Sequence, residues 1–302
     1  MAGPLTLPPS SLCMHYPQLI ARHDPALGAL VHPKERLYYA MLLVASLALY
    51  ALLALFLLGA VATPETGAAI GAVGLYAALF GLGFFFVHGL MIGRIRGNGV
   101  RVTASQFPAL HRQVTAHAAR LGMRAIPDVF IMQEGGALNA FATRFFGRDF
   151  VVVYSDVLAL AQARGEAAVG FIVAHELGHV ARGHLRFRWL TMPGRLVPYL
   201  GAAWSRACEY TCDRFGAHCQ PEGAVDGLLV LAAGPALYRE VDAREYMRQV
   251  ETEKGFWVKR AELMSTHPHL PRRVAALVRA GAAVPDYSPI RYDAHAGLHV
   301  AR

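Results

Sequence analysis

Charge is what this 302-residue chain has least of: Asp, Glu, Lys and Arg make up 17% of it. They are absent altogether from two long runs, Leu37 to Ala60 and Ala68 to Gly93. At 1.5 Å per residue, a helix over the first run measures ~36 Å, enough to cross a ~30 Å hydrocarbon layer, which argues against a wholly soluble protein. Cysteine is scarce as well. Cys13, Cys208, Cys212 and Cys219 lack paired C-x-x-C spacing, which excludes a zinc knuckle, gives no sign of a disulfide framework and fits a reducing compartment. Cys208 and Cys212 are four apart and could share a metal, but small buried thiols on a helix are the simpler reading. The 29 basic residues exceed the 21 acidic ones, yet they are nearly all Arg and are spread along the chain. No aromatic-interleaved basic cluster appears, so nucleic acid is excluded as a partner.

What is present is apolar. The hydrophobic fraction is 55% and the mean hydropathy +0.33. Residues 1–36 are Pro-rich and without period, predicting an irregular arm too long and polar to lead a cleaved signal. Two spans, 37–60 and 68–93, with a turn over 63–67, then predict a transmembrane helical hairpin, 37–93. His88, near the end of the second span, reads as an interfacial residue. Arg22, Lys34 and Arg36 precede the hairpin, Arg94, Arg96 and Arg101 follow it, and its loop has no basic residue, so both ends face the cytoplasm.

The chemistry lies beyond the hairpin. His175-Glu176-Leu177-Gly178-His179 reads H-E-x-x-H within an apolar run predicted helical from about Gly165 to His184. At i and i+4 both imidazoles project from one face and can share a Zn²⁺, with Glu176 placed to act on water as general base. Around it, 105–122 predicts an amphipathic helix, and Asp128–Met132, Leu138–Phe145 and Phe150–Tyr154 predict three strands with turns at 134–136 and 146–149. Helices follow near 204–219, 237–250, 254–264 and 271–282. The fold class is therefore mainly α with a small antiparallel β-sheet, an α+β zincin-like catalytic domain over 100–285 attached to the transmembrane hairpin, with an irregular tail at 286–302. The 185–204 stretch, broken by Pro193, Gly194 and Pro198, is too short to span and either lies at the membrane surface or walls the active site.

A catalytic zinc needs a third protein ligand. Position 185 is Leu, which rules out the distal His of metzincins, and His184 reads as a polar helix-end residue. A downstream Glu remains, and Glu209 suits because Asp213, one turn on, can orient a ligating His. Taken alone, the pair reads better as a solvated helix face. The combination of H-E-L-G-H, Ser205-Arg206-Ala207-Cys208-Glu209-Tyr210-Thr211-Cys212-Asp213, Ser265-Thr266-His267-Pro268 with Arg273, and Leu138-Asn139-Ala140-Phe141 resembles the membrane-associated zinc metallopeptidases typified by HtpX, the type 1 CAAX prenyl proteases and the mitochondrial Oma-type enzymes, a gluzincin group.

That resemblance implies one Zn²⁺ held by His175, His179 and Glu209, with Glu176 as general base and Asp213 behind the ligands. It implies that His267 and Arg273 hold the substrate carbonyl or its oxyanion, and that Asn139, Ala140 and Phe141 form an edge strand along which substrate backbone lies. The chain departs from the HtpX pattern in having only a short broken segment where two further spans are common. The expected function is a metalloendopeptidase of the cell inner membrane that cleaves unfolded or misfolded polypeptides at the cytoplasmic side, in protein quality control, with the lipid bilayer as its other partner. Two alternatives stay open, a narrow processing protease and a membrane-tethered zinc-binding scaffold without turnover.

Overall fold

A computed structural model describes residues 25–60, 64–133, 140–160 and 165–287. Helix α1 (Pro25–Leu30) is followed by two long apolar helices, α2 (Pro33–Ala60) and α3 (Pro64–Asn98). Both exceed the spans expected from the uncharged runs. Pro33 and Pro64 each occupy the first helical position, where a missing N–H costs nothing and a fixed φ favours the helix, so each helix takes in a polar turn that precedes its apolar run. This corrects two expectations: residues 25–36 are largely helical rather than irregular, and residues 64–67 belong to α3 rather than to a turn. Within these helices Pro33–Gly59 and Ile70–Asn98 are long and apolar enough to cross a membrane. Their outward side chains, such as Leu58 and Phe80, are about three-quarters exposed, as lipid-facing residues are in the absence of lipid.

Next come β1 (Val100–Arg101), α4 (Pro108–Arg120), β2 (Asp128–Met132), β3 (Ala140–Phe145) and β4 (Arg148–Tyr154). The sheet order is β1-β2-β4-β3. It is mixed rather than antiparallel: β1 with β2 and β3 with β4 are antiparallel, but β4 runs parallel to β2. The cause is topological. β3 occupies the far edge, and the two-residue turn Phe146-Gly147, with φ of 44° and 79°, sends β4 back between β3 and β2. The unbroken β-branched run of β4 follows from this position, because both faces of the sheet are covered. Val151 and Val153 face the main core with Val129 and Ile131, whereas Phe150 and Val152 pack with Phe130 against Ile92 and Ile95 of α3. His88 sits at the same junction, its Nε2 3.2 Å from the Arg144 carbonyl oxygen.

The helices that follow are α5 (Ser155–Leu160), α6 (Glu166–Ala181), α7 (Leu200–Cys219), α8 (Ala224–Leu237), α9 (Ala243–Thr252), α10 (Phe256–Met264) and α11 (Leu270–Arg279). Helix α6 is the central strut, with eleven of its residues buried. Gly178 makes its close contact with α7 possible: a Cβ there would lie 3.3 Å from Cys212 Sγ and 3.4 Å from the Cys212 Cα. α7 begins four residues earlier than expected, and α8 bends at Gly234, whose φ of 80° precedes Pro235.

Candidate metal centre

Helices α6 and α7 bring three donors to one point. His175 Nε2 lies 3.4 Å from Glu209 Oε2, and His179 Nε2 lies 3.4 Å from Glu209 Oε1. Donors sharing a tetrahedral zinc at ~2.0–2.1 Å from each stand roughly 3.4 Å apart, so this set fits the ion by spacing and by chemistry. His175 and Glu209 are buried and His179 is half-buried. Behind them, His175 Nδ1 is 3.0 Å from Asp213 Oδ1, which leaves Nε2 facing Glu209 and the shared point.

Arg273, at the start of α11, is only 5% exposed and belongs to the same network. Its Nε and Nη2 donate to Asp213 at 2.8 and 2.6 Å, and its Nη1 lies 3.2 Å from Glu209 Oε2. All three guanidinium nitrogens therefore face protein carboxylates, while the residue also lines the cavity described below. A fork that fits two acidic groups is buried where those groups need a counter-charge. His267 differs: its side chain is 63% exposed, with Nε2 3.5 Å from Glu209 Oε1. Its loop is tied down by Arg206, whose Nη1 donates to the carbonyls of Glu262, Leu263 and Ser265 at 2.7–2.9 Å.

The electrostatics follow from burial and these pairs. Burial raises the pKa of Glu176 against the opposing pull of the two histidines. Burial would also raise Glu209, but Arg273 and the histidines hold it well below the usual carboxylate range, and Asp213 is lowered likewise. Burial disfavours charge on His175, yet Asp213 and Glu209 outweigh it and lift its pKa to about 10, so binding a metal there must displace a proton. Cys208 and Cys212 are free thiols whose pKa values burial pushes up, in line with small buried residues rather than thiolates.

Two residues near the site carried no signal in the sequence reading. His184 is buried rather than a polar helix end: its Nδ1 lies 3.1 Å from His179 Nδ1 and its Nε2 3.3 Å from Glu35 Oε1. Glu35, on the first turn of α2, is itself held by Arg182 at 2.6 and 3.1 Å and by the Thr211 hydroxyl. The back of each histidine is thus occupied, His175 by Asp213 and His179 by His184. Two other His/Cys/Glu groupings, His179–His184–Cys212 and Glu35–His184–Cys208, have donors close enough for an ion. In both, His184 and its neighbours already serve one another.

A cavity of about 450 Å³ opens over these groups. Glu176, Glu209 and His267 line it, as do Ala140 and Phe141 at the start of the edge strand β3. Asn139 and the turn at 134–136 lie outside the described residues, as do Cys13 and most of the arm and tail. Two imidazoles and a carboxylate around one point, with a half-buried glutamic acid beside them in an open cleft, define the site class of a metal-dependent hydrolase.

The chain matches the profile of Peptidase family M48 over residues 104–203 and 190–280, together more than half of its length, and it belongs to that family. It is a metallopeptidase with two helices that fit membrane association. No curated protein and no solved structure matches it.

Proposed function

We propose that the protein is a membrane-anchored zinc endopeptidase that hydrolyses unfolded or misfolded polypeptides at the cytoplasmic face of the cell inner membrane, as part of protein quality control. The observation that carries this reading is the convergence of His175, His179 and Glu209 at 3.4 Å spacings beside Glu176 in an open cleft. In this reading 37–93 is the membrane anchor and 100–285 the catalytic unit. The absence of basic residues between the two spans supports a cytoplasmic site.

A zinc ion held by the three donors would supply Lewis acidity toward a scissile carbonyl and toward water. Glu176, its pKa raised by burial, takes the proton of the attacking water and passes it to the leaving amine. Asp213 fixes His175 with Nε2 toward the cleft, and Arg273 balances the charge of Asp213 and Glu209. His267, exposed at the cleft, donates to the substrate carbonyl oxygen as negative charge develops there. Ala140 and Phe141 offer an extended substrate an edge strand, a mode that reads backbone more than sequence and suits unfolded chains.

The test is cleavage of unfolded casein by detergent-purified protein at one zinc per chain, beside Glu176→Gln at equal zinc content. Cleavage by the parent alone is expected. Equal cleavage by both would remove Glu176 as base. No cleavage by either, with zinc bound, would favour a scaffold or a single-substrate processing enzyme.

A further inference from the structure

The segment between α6 and α7 packs along the side of α2. The Tyr50 hydroxyl donates to the Trp189 carbonyl at 2.7 Å, and the Gly194 amide donates to Ser46 Oγ at 2.8 Å. Gly194 sits so close to α2 that a Cβ would lie 2.4 Å from the Leu42 carbonyl oxygen. These contacts set a depth. Tyr50 lies fourteen residues beyond Arg36, the last charged residue of α2, or ~21 Å along the helix axis. Only ten residues follow it in α2, ~15 Å, about half of a ~30 Å hydrocarbon layer. If α2 crosses the bilayer, the segment bonded to Tyr50 cannot lie wholly outside it.

The segment itself is suited to lipid. Phe187, Trp189, Met192 and Leu196 are 61%, 67%, 61% and 80% exposed. Within 187–197 the charged residues are Arg188, which is exposed but lines the catalytic cavity, and Arg195, half-buried with its guanidinium 4.9 Å over the Trp204 ring. Non-helical backbone survives at bilayer depth only where its polar groups are paired within protein. Here successive turns supply much of that pairing: Leu190 N to Phe187 O, Met192 N to Trp189 O, Arg195 N to Met192 O and Val197 N to Gly194 O, all at 2.9–3.3 Å. Toward α2, Ser46 accepts from the Gly194 amide and Tyr50 gives the Trp189 carbonyl a second donor.

We infer that residues 187–197 form a re-entrant lip immersed in the acyl region to the depth that Tyr50 sets, with Phe187, Trp189, Met192 and Leu196 in contact with lipid. Its own Arg188 and Arg195, with Leu185 just before it, line the catalytic cavity, so one wall of the cleft stands at bilayer depth. The inference rests on the membrane-anchored reading of α2, and the experiment separates the two.

Trp204→Phe/Trp257→Phe leaves Trp189 as the sole indole of the three-tryptophan chain. The protein is reconstituted into phosphatidylcholine vesicles brominated at mid-acyl positions, with iodide as the aqueous quencher. Loss of Trp189 emission to bromolipid but not to iodide is expected. The control is Leu55→Trp in a chain with all three tryptophans replaced by Phe, reporting on an exposed position of α2. Bromine quenching at position 55 with iodide quenching at Trp189 would overturn the lip and leave the anchor standing. Quenching of Trp189 by neither agent would overturn it too, by showing protein cover. No bromine quenching at position 55 would overturn the anchor, and the lip with it. Because Trp204 packs under Arg195, a spin label at Leu196→Cys in the three-tryptophan chain gives a second reading. Greater relaxation by dissolved oxygen than by a water-soluble nickel chelate is expected, and the reverse overturns the lip.

Discussion

Arg273 gives the sharpest test of how the site is held together. Replacing it with Met keeps much of the stem volume but strips the counter-charge from two carboxylates that are 2% and 4% exposed. Two donors to Asp213 and one contact to Glu209 vanish together. Breaking a buried ion pair by removing one partner costs ~3–5 kcal/mol, mainly because the remaining charge is stranded. For a domain of this size each kcal/mol shifts Tm by roughly 2–4 °C, so the metal-free protein should melt roughly 6–20 °C lower. Zinc restores positive charge beside Glu209, so the deficit should shrink when the ion is bound. Thermal unfolding in detergent, with and without zinc, measures both. Arg273→Met/Asp213→Asn should recover part of the loss, since the more completely paired carboxylate is then neutral. A loss below ~1 kcal/mol, accompanied by a ~10²–10³-fold fall in turnover, would refute this account and return Arg273 to the substrate oxyanion.

His184→Phe and Glu35→Gln should each weaken zinc binding by about 10–100-fold, because His184 backs the Nδ1 of His179 and Glu35 backs His184; competition against a chromogenic chelator reads it, and unchanged affinity would remove both from the site. His117 on α4 is buried with neither ring nitrogen hydrogen-bonded among the described residues, and burial, aided by Arg120, lowers its pKa to about 4. Its folded pKa lies below the unfolded value of ~6.5, so its contribution is intact above that pH and is lost as pH falls toward 4, where the unfolded chain binds the extra proton. His117→Leu should flatten the stability profile in that window, and denaturant unfolding at several pH values checks it.

The local pattern of the sequence was enough for the two apolar spans, for most of the later helices and for the H-E-x-x-H motif, but not for α1 or α8. His175, Glu176 and His179 are read from an i, i+4 spacing because a helix repeats every 3.6 residues, and the buried helix around them is legible from its apolar run. The strand Asp128–Met132 follows from composition and turn signals with the bounds the structure shows. What the sequence could not reveal is long-range. The parallel pairing of β4 with β2 depends on where β3 is placed, not on the alternation of any strand. The pairing of Arg273 with Asp213, 60 residues away, leaves no trace in the spacing of either motif. Glu35 lies 147 residues from Arg182, and nothing in the Lys34-Glu35-Arg36 triplet separates a buried anchor from a solvated charge. Likewise the 187–197 segment is only a broken apolar stretch until Ser46 and Tyr50 fix its depth along α2. Periodicity and motif spacing are local properties and determined most of the elements, the paired histidines and the apolar spans. The partner of each buried charge, and the depth of the lip, were decided by tertiary packing, because a charge is only worth burying beside its opposite and only the fold brings the two together.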